Sequence, residues 1–242
     1  TRLALYDQVA EETASIVIRR YSTSFGLASK LLGPAVRQHV ENIYALVRIA
    51  DEIVDGAAEG AGIDTVGAGR ALNELERETD SAMDSGFSSN LVVHAFALTA
   101  RDAGFGTDLT APFFESMRTD LSQKHHDQAS FDRYVYGSAE VVGLMCLRAF
   151  LLGEPVRDLP RLETGARALG AAFQKVNFLR DLSADFETLG RSYFPGVDVT
   201  TFTEEEKLRL LDDIDADLAV SAATVPELPA SSRRAVALAQ SL

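Results

Sequence analysis

Two groups of oxygen-bearing side chains have the types and spacing to do chemistry. The first is Tyr44-Ala-Leu-Val-Arg48-Ile-Ala-Asp51-Glu-Ile-Val-Asp55. At 100° per residue, Tyr44, Arg48, Asp51 and Asp55 fall within about 60° on one face of a helix. Ile49, Ala50, Ile53 and Val54 flank that face, so its carboxylates sit in an apolar setting. Like charges one turn apart cost a helix ~0.2–0.5 kcal/mol, and more when desolvated. Two neutralisations are open: pairing with Arg48 on a solvated face, or an external cation. The second group is Gln174-Lys-Val-Asn177-Phe-Leu-Arg180-Asp181-Leu-Ser-Ala-Asp185. Asn177, Asp181 and Asp185 step by four and share one face among Val176, Phe178, Leu179 and Leu182. Three oxygen donors on successive turns suit a hard divalent cation such as Mg²⁺, which completes its shell with water and phosphate. Arg180, at the edge of that face, has the fork geometry to hold a phosphate. A salt-bridged surface helix is the other reading. If the two faces meet in a bundle, they form an acidic mouth able to hold metal-bridged diphosphate above an apolar interior.

The elements that must position these groups read as helices throughout, with no alternating segment long enough for a strand. Helices are expected at Leu3–Tyr21, Pro34–Asp55, Ala71–Met83, Leu91–Ala103, Pro112–Gln123, Phe131–Leu152, Leu162–Phe186, Glu204–Thr224 and a last segment to Leu242. Pro34 and Pro112 mark helix starts. The five glycines of Gly56–Gly69 predict a loop, and Thr188–Thr203 a second one. No linker or repeat divides the chain. The expectation is one all-α domain of eight to ten helices over residues 1–242.

Composition narrows the function. The 242 residues carry 23 Lys plus Arg against 36 Asp plus Glu, for a net charge of −13. That balance argues against broad electrostatic binding to nucleic acid or anionic lipid, which needs a basic face. A single cysteine excludes an intrachain disulfide framework and a multi-Cys zinc site. No run reaches the ~18 apolar residues of a membrane span. The charged first twenty residues do not read as a secretory signal. From the start at Thr1 the natural N-terminus is expected upstream, and the cytoplasm is the expected compartment.

Taken together, the blocks resemble the squalene/phytoene synthase family of head-to-head prenyl transferases. Tyr21-Ser-Thr-Ser-Phe25 resembles an early segment of that family, and Arg48 through Asp55 its first aspartate-rich motif. Met117-Arg-Thr-Asp120 and Tyr134 through Met145 resemble the mid-chain blocks. Gln174 through Asp185 resembles the second aspartate-rich motif, and Gly190-Arg-Ser-Tyr-Phe-Pro195 the block after it. The form of the first motif looks closer to bacterial phytoene synthases than to squalene synthases.

The resemblance implies an all-α isoprenoid-synthase bundle with a central apolar tunnel. It implies two prenyl diphosphates and Mg²⁺, with Mn²⁺ as a substitute and no NADPH. Asp51, Asp55, Asn177, Asp181 and Asp185 would match metal–diphosphate ligands. Arg48, Arg180 and Arg191 would match diphosphate-gripping or flap positions, with Ser22, Ser24 and Phe25 near the first substrate and Gln174 at the second motif. Tyr44, Tyr136 and Tyr193 are the tunnel or carbocation candidates. The implied reaction joins two geranylgeranyl diphosphates to phytoene through a cyclopropyl diphosphate. The alternatives are a C15 enzyme making dehydrosqualene, squalene or presqualene diphosphate, and a silent relative acting as assembly factor or lipid-binding scaffold. A hydrocarbon product is compatible with peripheral membrane contact, though no basic amphipathic stretch marks a place for it.

Small residues at Gly26, Ala28 and Ser29 and at Ala168, Gly170, Ala171 and Ala172 either leave room for chains or allow close helix packing. Glu140 and Lys175 stand where the family pattern leads one to expect uncharged residues, and the chain ends earlier than that pattern. Asp212, Asp213, Asp215 and Asp217 form a denser acidic run, read as a solvated face because Leu211, Ile214 and Leu218 mark the buried one. Cys146 reads as core and His125–His126 as a solvated turn. His39 and His94 have no partner at ligand spacing.

Overall fold

The computed structural model describes residues 1–22, 24–189 and 192–241, with the side chains of all of these except residues 24, 25 and 183–189. Twelve α-helices are formed among the described residues. In chain order they are α1 (Arg2–Tyr21), α2 (Ser24–Ser29), α3 (Pro34–Asp55), α4 (Ala57–Gly60), α5 (Thr65–Ser85) and α6 (Leu91–Ala103). There follow α7 (Thr107–Asp120), α8 (Gln128–Val135), α9 (Val141–Phe150), α10 (Leu159–Leu189), α11 (Glu204–Ala222) and α12 (Ala230–Ala239). The β-type contact among the described residues is an isolated bridge between His125 and Ser192.

Local chemistry sets most of these ends. Pro34 opens α3, where its missing N–H has no helical partner to lose. Asn90 caps α6 by accepting from Val92 and Val93, and Gly104 closes it in the left-handed conformation. Thr203 and Glu206 form a reciprocal capping box at the head of α11.

Three expectations need correction. The glycine-rich 56–69 segment is not wholly a loop: α4 occupies part of it, and α5 starts at Thr65 because Asp64 caps Gly67 N–H. Burial of Ala68 and Leu72 outweighs the cost of glycine there. Pro112 lies inside α7 rather than at its start. The expected single helix from Phe131 to Leu152 is interrupted by a π-helical turn at Tyr136–Glu140. That turn packs against α7 and α10, where a side chain at Gly137 would lie 2.2 Å from the Pro112 carbonyl oxygen.

Helix α3 is the hub, packing on α1, α5, α6, α7 and α9. Its Ile43, Leu46 and Ala50 join Leu72, Phe96, Phe113, Phe114 and Met145 in the main core. Helix α10 lies along α9 and α11, and α12 covers α2. A second, aromatic core gathers Phe131, Tyr134, Phe178, Tyr193 and Phe194 under the C-terminal half of α10.

Candidate active site

Between α2, α3, α9, α10 and α12 runs an apolar cavity. Val40, Val142, Leu147, Phe150 and Leu169 are among its walls, and its polar side chains are Ser29, Ser138, Gln174, Ser221 and Thr224. Close helix packing shapes it: a Cβ at Gly170 would lie 2.5 Å from the Ala139 carbonyl oxygen, and one at Gly143 2.4 Å from that of Ala166. Of the small residues singled out in the sequence, Ala28, Ser29 and Gly170 line the cavity, while Ala171 and Ala172 are buried in helix contacts.

Val47 on α3 and Gln174 on α10 both line this cavity. Asp51 stands one helical turn beyond Val47, and Asn177 and Asp181 stand about one and two turns beyond Gln174. The two acidic faces therefore continue the two helices that wall the cavity. Arg48 donates to Asp51 at 2.7 Å and to Glu52 at 2.5 Å. Its Nε is buried and has no hydrogen-bond partner. Its guanidinium lies 4.6 Å above the Tyr21 ring. Glu52, which sequence reasoning passed over, also accepts from the Ala57 amide and so fixes the turn that ends α3. Its spacing of four from Arg48 was the available signal. Burial raises the Tyr44 hydroxyl above its ordinary pKa against the opposing pull of Arg48, and its hydrogen bond with Ser22 ties the start of α2 to α3.

On α10, Arg180 forks onto Asp181 with contacts of 2.8 and 2.6 Å. These bonds hold the Asp181 carboxyl below its ordinary pKa. Asn177 and Arg180 are exposed, and Asp55 is exposed at the end of α3. Among the described residues no three acidic, histidine or cysteine side chains stand close enough together to hold a metal. The donors themselves are all oxygen, as a hard divalent cation requires. The side chains of Ser24, Phe25 and Asp185, and all of Arg191, lie outside the described residues.

The tyrosines fall in different places. Tyr136 lines a separate polar pocket with Glu140, Arg167, Lys175 and Asp217 instead of the apolar cavity. Arg167 lies 5.2 Å over its ring and bonds Glu140 at 2.6 Å, so Glu140 is directed to that pocket. Tyr193 stacks on Phe178 at 4.1 Å within the aromatic core. Its hydroxyl and that of Tyr134 both donate to the buried Asp120, at 3.2 and 2.7 Å. His126 is buried beside them, against the expectation of a solvated turn, because its ring stacks on Tyr193 and meets Tyr134 at a tilt. Burial lowers its pKa.

The acidic run on α11 is not wholly a solvated face either. Lys175 of α10 reaches Asp213 at 2.6 Å and Asp217 at 2.7 Å, which neutralises the unexpected lysine. Cys146 lines the cavity, and desolvation pushes its thiol up to about 12. His94 is fully buried on Asp7 at 2.7 Å, and His39 contacts Thr99. Ser138, which the sequence gave no reason to single out, lies in the π-helical turn and faces the cavity with a buried, unpartnered hydroxyl.

Known proteins are similar to this chain in sequence and in fold. The sequence profile of squalene/phytoene synthases matches residues 18–242. A 15-cis-phytoene synthase of Paracoccus sp. is 32% identical over 188 residues, covering 76% of this chain and 59% of that protein. A 15-cis-phytoene synthase of Enterobacter agglomerans is 30% identical, covering 90% and 78%. A 4,4'-diapophytoene synthase of Staphylococcus haemolyticus is 26% identical, covering 83% and 66%. The chain thus spans about three-fifths to four-fifths of the length of these relatives. In fold it is similar to a squalene synthase from Alicyclobacillus acidocaldarius, with a TM-score of 0.82 at 20% identity over 98% of this chain and 90% of that one. A dehydrosqualene synthase solved with a ligand gives 0.80 at 24% identity, over 97% and 83%. With the profile spanning nearly all of its length, the chain belongs to the squalene/phytoene synthase family.

Proposed function

We propose that this protein joins two prenyl diphosphates head to head, and that its substrates are two geranylgeranyl diphosphates giving phytoene. The observation that carries this reading is a carbon-walled cavity whose bounding helices, α3 and α10, continue into the two carboxylate faces. Diphosphate would sit among charged side chains while the isoprenoid tail lies in apolar surroundings.

Asp51, Asp55, Asn177 and Asp181 would hold Mg²⁺ ions, with Asp185 completing the second face. Bound there, the ions would neutralise the departing diphosphate. The chain's own groups have four tasks. Asp51 and Asp181, now paired with Arg48 and Arg180, would hold the metal instead, which would leave the forks of both arginines for diphosphate oxygens. The buried Arg48 Nε gains the acceptor it lacks. Tyr44, kept protonated by burial, and Ser22 hold the start of α2 against this mouth. The cavity walls exclude water, so that an allylic cation is captured by the double bond of the second chain and not by solvent. Proton loss then closes the cyclopropane. Departure of the second diphosphate and rearrangement to the 1-1′ linkage end in loss of another proton, so no reductant enters.

The diapophytoene synthase relative favours a second reading, with C15 substrates. Competing geranylgeranyl and farnesyl diphosphates at equal concentration, with mass analysis of the extracted products, separates the two. A C40 triene as main product is expected. A C30 product in excess would replace the substrate assignment, and a halt at the cyclopropyl diphosphate would replace the product.

A further inference from the structure

One hydroxyl in the apolar cavity has nothing to bond. Ser138 is 9% exposed and lines the cavity, and its Oγ is buried without a hydrogen-bond partner. The other hydroxyls of the cavity are engaged. Ser29 donates to the Gly26 carbonyl at 2.9 Å. Thr224 donates to the Ser221 carbonyl at 2.8 Å, and Ser221 accepts from Gln240 at 2.8 Å. A serine in a helix can return its hydroxyl to the carbonyl four residues back. For Ser138 that carbonyl belongs to Tyr134, and it accepts from Ser116 of α7 at 3.2 Å instead.

An unpaired buried hydroxyl is a net cost to folding, yet the structure holds this one firmly. Ser138 is the middle residue of the π-helical turn Tyr136–Glu140. Arg167 of α10 clips the two ends of that turn together, lying 5.2 Å over the Tyr136 ring and bonding Glu140 at 2.6 Å. On either side of Ser138 the backbone is pressed against a neighbouring helix. A Cβ at Gly137 would lie 2.2 Å from the Pro112 carbonyl oxygen, and one at Gly170 lies 2.5 Å from that of Ala139. The ends of the turn therefore line the polar pocket while its middle lines the cavity. Such π turns are frequent at functional sites.

The same contacts fix where along the cavity Ser138 stands. Gly143 meets Ala166 and Ala139 meets Gly170, so the two segments run antiparallel. Ser138 thus lies toward the end of the cavity that Gln174 lines, from which α10 continues to Asn177 and Asp181. Leu147, Leu162 and Leu228 cluster at the other end.

We propose that Ser138 is a catalytic residue whose hydroxyl oxygen faces the carbon that diphosphate leaves and stabilises the allylic cation formed there. No bond forms to Ser138 and its proton stays in place. Its lone pairs meet the positive charge as a dipole oriented beforehand, in apolar surroundings where that attraction is strong. An interaction gained only as the charge develops raises kcat and leaves KM alone. The inference rests on the reading that the cavity takes the isoprenoid part of a prenyl diphosphate.

The test is steady-state kinetics of Ser138→Ala, Ser138→Thr and Ser138→Val with geranylgeranyl diphosphate and Mg²⁺. It is joined by calorimetric binding of two C20 probes in the presence of diphosphate: the quaternary geranylgeranyl trimethylammonium ion, and its uncharged isostere with carbon in place of nitrogen. Ser138→Ala is expected to lower kcat by ~10-fold or more with KM within about twofold, although the variant is more stable than the intact chain. Threonine, which keeps a hydroxyl, should retain more of kcat than valine of the same shape. Ser138→Ala should weaken binding of the ammonium ion by ~10-fold and leave the uncharged probe unchanged. An unchanged kcat, equal rates for the threonine and valine variants, or equal weakening of both probes would overturn the proposal. So would less C20 alcohol by-product at unchanged kcat, since the hydroxyl would then hold a water molecule. The probes report on Ser138 without turnover, and product analysis of the intact chain tests the condensation reading by itself, so the two can fail separately.

Discussion

Lys175 allows a quantitative test of how α10 is held. Its side chain is 12% exposed and its ammonium lies between Asp213, 58% exposed, and Asp217, 25% exposed. Burial disfavours its charge, but hydrogen bonds to the two carboxylates outweigh that and raise its pKa above the ordinary 10.5. An exposed pair contributes ~0–1 kcal/mol, whereas breaking a fully buried one costs ~3–5 kcal/mol. Asp217 stands between these limits, so Asp217→Asn should cost about 2 kcal/mol and Asp213→Asn no more than about 1 kcal/mol. At ~2–4 °C per kcal/mol for a chain of this size, Tm falls by about 4–8 °C for Asp217→Asn. Lys175→Met leaves Asp213 and Asp217, one turn apart, without their cation and should cost at least as much as Asp217→Asn, which keeps the pair with Asp213. Because the folded pKa lies above the unfolded one, this stabilisation is fully present below about pH 10.4 and is lost as pH rises through the folded value. Thermal unfolding followed by circular dichroism at neutral and alkaline pH measures both effects. A Lys175→Met variant clearly more stable than Asp217→Asn, or a gap between Asp217→Asn and the intact chain that widens at high pH, would refute the reasoning.

Three further outcomes are expected. Asp51→Asn or Asp181→Asn should lower turnover by at least ~10²-fold, as when one transition-state electrostatic contact is lost, while steady-state assays of Asp213→Asn show turnover unchanged. Gly170→Ala sets a methyl 2.5 Å from the Ala139 carbonyl oxygen, so a loss of about 2–3 kcal/mol in denaturant unfolding is expected as α10 is pushed off the π-helical turn. Ser138→Ala removes a buried hydroxyl without a partner and should raise stability by ~1 kcal/mol in the same assay.

The helices that were legible in the sequence are those whose ends are written in local chemistry. Pro34 and the periodicity up to Asp55 bound α3, and Leu91–Ala103 sits between an asparagine cap and a left-handed glycine. What could not be read depends on neighbours distant in sequence. Pro112 is tolerated inside α7, and the π-helical turn that brings Ser138 to the cavity follows from packing on α7 and α10. His126 is buried by Tyr193, which lies 67 residues further along the chain. Lys175 looked misplaced until α11 supplied its carboxylates. In the site, the spacing of Arg48 and Asp51 showed a shared face and left open whether arginine or metal neutralises it. The structure shows the arginine pairing, with Glu52 as the partner overlooked. Tyr136 was grouped with the tunnel by resemblance, but the turn of the π segment directs it to the Arg167 pocket.

The most direct measurement is incubation of the purified chain with geranylgeranyl diphosphate, with Mg²⁺ and with a chelator, followed by extraction and mass spectrometry. A C40 hydrocarbon formed with Mg²⁺ and abolished by the chelator is the expected result. Diphosphate release with only a C20 alcohol or cyclised C20 hydrocarbon, or no product from C15 or C20 substrate, would contradict the head-to-head assignment.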